Sequence, residues 1–210
     1  MSDNRTLMQT SAESRSYDSS QRRYLLFLAS GFLMLFALVL LSLTSGNYMT
    51  SPRDVIQALI HPEANPQIFN IVVFSRLPRL LAAILIGAAL SVSGFVFQHI
   101  FLNYMASPDI LGVSSGVGLG ASLAIFFGFG YSLIWVFSFV GGIATVGITT
   151  AVSSLFRRDT GKSITLILSG IIIGGLMNSA IGLLKYLSND AQLSSITYWL
   201  LGGLYNTKFN

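Results

Sequence analysis

Long apolar runs alternate with short polar segments along most of the chain. A bilayer core about 30 Å thick is crossed by roughly 20 helical residues. Five runs come close to that length, and they occupy residues 24–44, 80–98, 110–127, 131–155 and 164–187. The pattern predicts an all-α fold, a polytopic transmembrane helix bundle with about five spans.

The segments at the two ends of the chain differ from the spans. Residues 1–23 are polar and serine-rich, so we expect a disordered tail, followed by one transmembrane domain over residues 24–210. The run at 24–44 is longer than a signal-peptide core, which favours an uncleaved span. Residues 192–204 mix polar and apolar side chains with Tyr198 and Trp199 adjacent, and they predict a short helix at the membrane interface.

Composition supports a membrane protein and argues against several kinds of site. Hydrophobic residues make up 52% and charged residues 10% of the chain, whereas soluble domains carry about 25% charged residues. The sequence has no cysteine, and its two histidines, His61 and His99, have no second ligand at metal spacing. The basic residues lie at the ends of apolar runs, so nucleic-acid binding is not indicated. We expect no metal site, no cofactor and no enzymatic activity.

The distribution of Lys and Arg predicts the orientation, because short cytoplasmic loops are enriched in both. Basic residues precede the first run and follow the fourth; they are Arg5, Arg15, Arg22, Arg23, Arg157, Arg158 and Lys162. We therefore expect a cytoplasmic N-terminus. Arg53, Arg76 and Arg79 then fall on the outer side, where two interpretations stand equally. Either a long outer loop keeps its charges, or the arginines form a docking patch for an acidic partner.

The interiors of the predicted spans contain small residues and few polar ones. Small residues recur at a spacing of four, which lets helix backbones approach closely; they are Ala83, Gly87, Ser91, Gly112, Gly116, Gly120, Gly170 and Gly174. We expect packing contacts at most of these glycines, with a minority lining a path. Gln98 and Asn178 are expected at depth, as interhelical hydrogen-bonding groups or as pathway residues, and we favour the former.

Acidic residues are placed outside the spans. None of the eight Asp and Glu residues lies deep in a predicted span. Intramembrane carboxylates are the usual proton or cation relays of pumps and secondary transporters. If this protein moves a solute uphill, we expect the energy to enter through a partner or through a region outside these spans.

Several separated segments form a recognisable series. They are, in order, Arg76-Leu77-Pro78-Arg79, Gly87-Ala88-Ala89-Leu90, Ser93-Gly94, Gln98, residues 103–116 (NYMASPDILGVSSG), Leu168-Ser169-Gly170 and Tyr198-Trp199-Leu200-Leu201-Gly202. Together they resemble a known family, the FecCD-type permeases of ABC importers for ferric siderophores, haem and vitamin B12. The long segment is similar to the family pattern N-P-L-A-[DE]-P-x-x-L-G-[VI]-[SN]-x-G. It departs from that pattern at Tyr104, where proline is usual, and at Met105, where leucine is usual.

The resemblance implies roles for individual residues and for partners. Asn103 and Met105 lie on the loop where the family narrows its path on the inner side, so both are implied inner-gate residues. Arg76 and Arg79 are implied docking residues for an acidic, extracytoplasmic substrate-binding protein. A second permease subunit, the same or a related chain, and cytoplasmic ATPase subunits are the other implied partners, with membrane lipid around them.

The function expected from this resemblance is that of the permease subunit of a binding-protein-dependent, ATP-driven importer in a bacterial inner or plasma membrane. Iron-siderophore complexes are the favoured ligand, and haem and vitamin B12 stay open. Because about ten spans are expected in a full-length subunit, we interpret this chain as the N-terminal part only, with the coupling segment for the ATPase beyond Asn210. The alternatives are a secondary transporter or channel, and an inactive truncated permease remnant.

Overall fold

The computed structural model describes residues 3–46, 48, 50–104, 106–156, 162–204 and 207, without the side chains of residues 3–20, 162 and 163. The predicted gate residue Met105 and the basic residues Arg157 and Arg158 lie outside the described residues, as do the side chains of Arg5, Arg15 and Lys162. Within the described ranges all regular structure is helical, which confirms the predicted all-α fold.

Eight α-helices follow one another along the described chain. They are α1 (Asp3–Thr44), α2 (Pro52–Ile60), α3 (Pro66–Asn70), α4 (Leu77–Phe101), α5 (Val113–Phe126), α6 (Tyr131–Leu155), α7 (Lys162–Leu187) and α8 (Asp190–Leu201). A π-helix (Ile71–Arg76) joins α3 to α4, and a 3-10 helix (Pro108–Leu111) precedes α5. The chain divides into two compact units, Met1–Ala83 with Thr207–Asn210, and Ile84–Asn206.

The first unit is dominated by the long helix α1. Its apolar part, Gln21–Thr44, is long enough to cross a membrane, and its large side chains are exposed to the surroundings as lipid-facing residues would be. The helix begins at Asp3, within the tail that composition predicts to be disordered. Good helix formers such as Met8, Gln9 and Ala12 account for this continuation.

Helix α2 starts where the sequence provides an N-terminal cap. The Ser51 hydroxyl accepts from the Asp54 N–H at 3.2 Å, and the Asp54 carboxylate accepts from the Ser51 N–H at 3.1 Å. This reciprocal pair satisfies two otherwise free donors, and Pro52 at the first helical position needs no donor of its own. Val55 and Ala58 form the buried face of α2.

The predicted span 80–98 lies inside a much longer continuous helix. Helix α3, the π-helix and α4 together run over Pro66–Phe101, 36 residues. A π-helix has wider turns than an α-helix and is found mostly as a single turn, frequently at functional sites. The β-branched run Ile71-Val72-Val73 begins this segment, and such residues crowd a regular α-helix.

The second unit is organised around α5, which contacts α6, α7 and α8. Ala121, Ser122 and Ala124 on α5 are fully buried. With 14 residues α5 is shorter than the predicted third span, 110–127, because the 3-10 helix and Gly112 precede its first turn. At 1.5 Å per residue it measures about 21 Å, less than the hydrocarbon thickness.

Four helices in the described chain have the length and composition of a membrane span, and α5 is a shorter apolar helix. The four are Gln21–Thr44, Pro66–Phe101, Tyr131–Leu155 and Ile164–Leu187. They match four of the five predicted runs. The protein is therefore a multi-pass membrane protein by its helices, with its shortest predicted span surrounded by other parts of the chain.

Helix α8 occupies the segment for which a short interfacial helix is predicted. Asn189 caps it, accepting from the Gln192 N–H at 2.9 Å, while Gln192 Oε1 accepts from the Asn189 N–H at 3.1 Å. The Gln192 amide also donates to the main-chain oxygen of Phe126 at 2.8 Å, which ties α8 to the end of α5. The helix is confirmed, and its position at the membrane interface stays a prediction.

Candidate functional site

Glycines bring the backbones of α5 and α6 into direct contact. A Cβ atom built on Gly116 would lie 2.6 Å from Thr145 Cβ and 2.7 Å from the main-chain oxygen of Gly141. One built on Gly120 would lie 2.7 Å from the carbonyl carbon of Phe137. Real side chains do not fit at such distances, so the contact depends on the absence of a Cβ at both glycines.

A second set of glycines lies where the 3-10 helix and α5 meet α7. A Cβ on Gly170 would lie 2.9 Å from Leu111 Cα, and one on Gly112 would lie 3.1 Å from the Gly170 oxygen. A Cβ on Gly174 would lie 3.4 Å from Gly112 Cα, an ordinary contact distance. Gly112 also has φ +74°, a left-handed conformation that glycine adopts without strain. By contrast, a Cβ on Gly87 of α4 would meet nothing within 4 Å among the described residues.

The loop between α4 and the 3-10 helix carries the predicted gate residue Asn103. Its N–H donates to the Gln98 oxygen at 3.1 Å, and its own oxygen accepts from the Ala106 N–H at 3.1 Å. Leu102 and Tyr104 on either side are each 92% exposed, and Leu102 has φ 50°. The tip of this loop therefore projects from the unit, with Asn103 exposed between two large apolar side chains.

The base of the same loop is held firmly. Phe101, Ala106 and Leu111 form a buried apolar cluster, against which Phe97 and Leu166 pack. On the opposite side, the buried Thr149 hydroxyl donates to the Leu111 oxygen at 3.1 Å. We call residues 102–107 the inner loop, after the side of the membrane on which the sequence predicts it to lie. Its tip is exposed while its two ends are fixed by packing and by a buried hydrogen bond.

One face of α7 combines a polar side chain with small residues near the middle of a membrane-length helix. Asn178 is exposed, and among the described residues its side chain makes no hydrogen bond. Gly175 and Gly182, one turn before and after it, have open space around them, and Ser179 donates to its own helix at the Gly175 oxygen. An amide left unpaired in hydrocarbon costs several kcal/mol. This face is therefore suited to water or to another polar surface rather than to lipid.

Gln98, the other polar residue expected at depth, lies near the end of α4 and is half-buried. Its main-chain oxygen accepts from Asn103, while its side chain makes no hydrogen bond to another described residue. Neither the Gln98 nor the Asn178 side chain bonds to another described helix. Their two considered roles, as interhelical hydrogen-bonding groups with residues outside the described chain or as pathway residues, stay predictions.

The three arginines expected on the outer side have different environments, all in the first unit. Arg53 on α2 is exposed, and Arg79 in the first turn of α4 is half-buried. Arg76 is half-buried and donates from Nη1 to the Leu43 oxygen and to Thr50 Oγ1, the latter at 2.7 Å, and from Nη2 to the Tyr48 oxygen. The docking role of Arg76 and Arg79 stays a prediction.

A cavity that the sequence did not predict lies among α5, α6 and α8. It has a volume of about 470 Å³, is open on one side, and is lined by Ile125, Tyr131, Ile134, Ser195, Tyr198 and Trp199. Of the residues that line this cavity, the sequence draws attention only to the adjacent pair Tyr198 and Trp199, and there it predicts a helix at the membrane interface. Among the described residues no group of three or more His, Asp or Glu could hold a metal ion.

Membrane-length apolar helices and glycine-mediated helix contacts are the features of a polytopic membrane protein. The family model described as the FecCD transport family matches residues 34–210. The chain belongs to the FecCD transport family, which confirms the resemblance carried by the motifs between residues 76 and 202.

Named relatives extend over most of this chain. It is 36% identical over 179 residues to the molybdate import system permease protein MolB of Haemophilus influenzae, covering 81% of this chain and 51% of that protein. It is 37% identical over 177 residues to the hemin transport system permease protein HmuU of Yersinia pestis, covering 83% and 52%. It is 34% identical over 183 residues to the vitamin B12 import system permease protein BtuC of Citrobacter koseri, covering 87% and 53%.

A solved structure also matches, with a TM-score of 0.72 and 33% sequence identity, over 87% of this chain and 55% of that one. That structure is described as an inward-facing conformation of an ABC transporter of the metal-chelate type. The chain spans about half the length of the curated relatives it matches.

Proposed function

We propose that the chain is part of the permease subunit of an ATP-driven importer that receives its ligand from an extracytoplasmic binding protein. The observation that carries the proposal is the match of the FecCD transport family over residues 34–210. The relatives support it, because each is named as a permease of an import or transport system. The chain itself is not an enzyme in this proposal, and ATP is hydrolysed on separate cytoplasmic subunits.

The proposed ligand is an iron-siderophore complex. The relatives are named for molybdate, hemin and vitamin B12, so haem, vitamin B12 and molybdate are competing ligands in any test. Arg79 directly precedes the apolar run 80–98, and Lys185 lies two residues before the end of α7. A bulky chelate would then pass apolar and small polar walls rather than a tight charged site.

The proposed path runs along the face of α7 that carries Asn178, with a second permease subunit opposite. The inner loop narrows the path at Asn103 and Met105 on the cytoplasmic side, where the N-terminus also lies. Arg76 and Arg79 lie on the outer side and contribute to docking of the binding protein. These assignments are supported by the exposure of Asn178 and Asn103 and by the positive charge of the arginines.

Uptake of a radiolabelled ferric siderophore into vesicles tests the proposal. The vesicles contain the intact gene product of this chain with its ATPase and binding protein. We expect uptake that requires both ATP and the binding protein, and competition by other chelates ranks the ligands. Uptake driven by an ion gradient without the ATPase would replace the importer by a secondary transporter. Absence of any transport, with correct assembly, would favour an inactive remnant.

Thiol labelling tests the path on α7 separately, because the sequence contains no cysteine. Asn178→Cys and Leu176→Cys place a thiol on two exposed positions of the same helix, of which Leu176 is 61% exposed. Two residues along an α-helix turn the side chain by about 200°. A charged, membrane-impermeant thiol reagent should label Asn178→Cys in the assembled importer and leave Leu176→Cys unlabelled. Equal labelling would remove α7 from the path.

A further inference from the structure

We propose that Arg76 is a positioning residue that fastens the loop after α1 to the beginning of α4. Its guanidinium joins Leu43, Tyr48 and Thr50, and we call these four residues the Arg76 clasp. All four lie in the first unit of the chain. The inference rests on the proposed function for the side of the membrane and for the binding protein, while the contacts themselves are independent of transport.

The clasp adds a hydrogen bond at the end of α1. The last four carbonyls of an α-helix have no partner within the helix. Here the Ser45 N–H donates to the Leu41 oxygen at 2.8 Å, and the Thr50 N–H donates to the Thr44 oxygen at 3.2 Å. The Leu43 oxygen is satisfied by Arg76, which is 33 residues further along the chain. The cap of α1 is therefore supplied by the segment that leads into α4.

Thr50 links the two sides of the clasp. It is 7% exposed, and its hydroxyl donates to the Thr44 oxygen at 3.3 Å while accepting from Arg76 at 2.7 Å. A hydroxyl has one donor and two acceptor positions, so it can serve both neighbours at once. Because α2 begins two residues after Thr50, the same contact fixes the start of α2 and the exposed Arg53.

Two local features place the guanidinium against the loop. Arg76 ends the π-helix, and one extra residue in a helix turns every following position by about 100°. The same α3–α4 rod without the π-helix would therefore direct residue 76 elsewhere. On the loop side, a Cβ on Gly46 would lie 3.1 Å from Arg76 Nη2, which is a tight contact. Glycine at this position therefore leaves room for the guanidinium.

The clasp requires the shape of arginine as well as its charge. Nη1 serves two oxygens and Nη2 serves a third, in different directions within one plane. Lysine carries the same charge on one nitrogen at the end of a flexible chain and lacks this planar fork. Because both terminal nitrogens are bound to the loop, Arg76 influences docking through the position of the loop.

Spin labelling of the full chain in lipid nanodiscs tests the clasp without ligand, ATPase or binding protein. A label on Tyr48→Cys uses an exposed side chain of which only the main-chain oxygen takes part in the clasp. We expect a shorter rotational correlation time of this label with Arg76→Gln and also with Arg76→Lys. The change Arg53→Gln, at an exposed arginine of α2, should leave the label unaltered. An unchanged label in Arg76→Gln, or wild-type behaviour of Arg76→Lys, would overturn the inference.

Two further variants keep the test decisive. Thr50→Val removes the bridging hydroxyl but keeps Arg76. It should therefore loosen the loop even if the Arg76→Gln variant fails to insert into the membrane. A label on Ile172→Cys in α7, an exposed position in the second unit, reports whether that unit remains folded in each variant. Loosening at residue 48 with an unchanged label at residue 172 supports the clasp, and an immobile loop in Thr50→Val contradicts it.

Capture of the binding protein separates positioning from direct docking. A charge that meets the partner directly sets the on-rate and its dependence on salt. Arg76→Lys should reduce capture while leaving the salt dependence of the on-rate as in the wild type. Wild-type capture by Arg76→Lys together with a mobile loop would show that the clasp exists but has no part in docking.

Discussion

Thr149 on α6 donates its hydroxyl to the main-chain oxygen of Leu111 across 3.1 Å, and both residues are buried. Leu111 ends the 3-10 helix that follows the inner loop. The bond therefore connects the base of the inner loop to a helix that follows much later in the chain. Any movement of this base relative to α6 must break a buried hydrogen bond.

Thr149→Val should lower the thermal stability of the purified protein. Valine keeps the shape of the side chain but leaves the Leu111 oxygen without its partner, and interhelical hydrogen bonds in membranes are worth about 0.6 to 2 kcal/mol. The midpoint of thermal unfolding in detergent measures the change. Thr150→Val is the matched control, because the Thr150 hydroxyl is exposed and bonds within its own helix to the Val146 oxygen. Equal effects of the two valines would contradict the role of the Thr149 bond.

Gly116→Ala should separate α5 from α6. The added methyl would overlap the Thr145 side chain and the Gly141 oxygen, and overpacking of this kind costs about 1 to 3 kcal/mol. Gly147→Ala on α6 adds the same methyl where nothing lies within 4 Å, so it should be neutral or slightly stabilising. Thermal unfolding compares the two variants. A neutral Gly116→Ala would mean that the helices can shift apart without loss.

Gly112→Ala should cost more stability than Gly128→Ala. Both glycines have left-handed φ values, +74° and +72°, where an alanine is strained by about 1 to 2 kcal/mol. Only at Gly112 would the methyl also press on Gly170 and Gly174, at 3.1 and 3.2 Å. The difference between the variants in denaturant unfolding therefore isolates the contact with α7. If the two alanines behave alike, the contact contributes nothing beyond the shared strain.

Gln192→Glu should detach α8 from α5 while keeping α8 helical. The carboxylate can still accept from the Asn189 N–H, but it has no amide to donate to the Phe126 oxygen. Hydrogen exchange of the α8 amides should become faster, because a carboxylate oxygen of the new glutamate would face the Phe126 oxygen and the two would repel each other. Asn189→Asp is the control, since aspartate preserves the cap. Protection that is unchanged in Gln192→Glu would show that this bond does not hold α8.

The spacing of glycines indicated close helix contacts but could not name the neighbours. Four residues advance an α-helix by about 400°, so a row at spacing four drifts by about 40° at each step. Gly116 and Gly120 on α5 both meet α6, whereas Gly112, the left-handed residue before α5, lies off this helical row and meets α7. The sequence shows the row of glycines and its period. It does not show that Gly141 and Gly170 lie next to this row in the folded chain, and the contacts depend on that placement.

Hydropathy located the membrane-length runs better than the ends of the helices. The rod that contains the run 80–98 begins at Pro66, and the first helix begins at Asp3, because polar residues continue a helix without adding to its apolar length. The hydrogen bonds of Arg76 could not be predicted from the sequence either. Two of its three acceptors are main-chain oxygens, of Leu43 and Tyr48, and every residue has such an oxygen whatever its side chain.

The shortness of α5 has an electrical consequence. A helix of 14 residues spans about 21 Å, roughly two thirds of the hydrocarbon core. The 3-10 helix Pro108–Leu111 continues the chain at the N-terminal end of α5. If water reaches this end of α5, the insulating layer is thinner there than beside α7, the membrane voltage falls over a shorter distance, and the local field is steeper. A charged solute that moves along α5 would therefore gain or lose its electrical energy over fewer ångströms than one that moves through lipid.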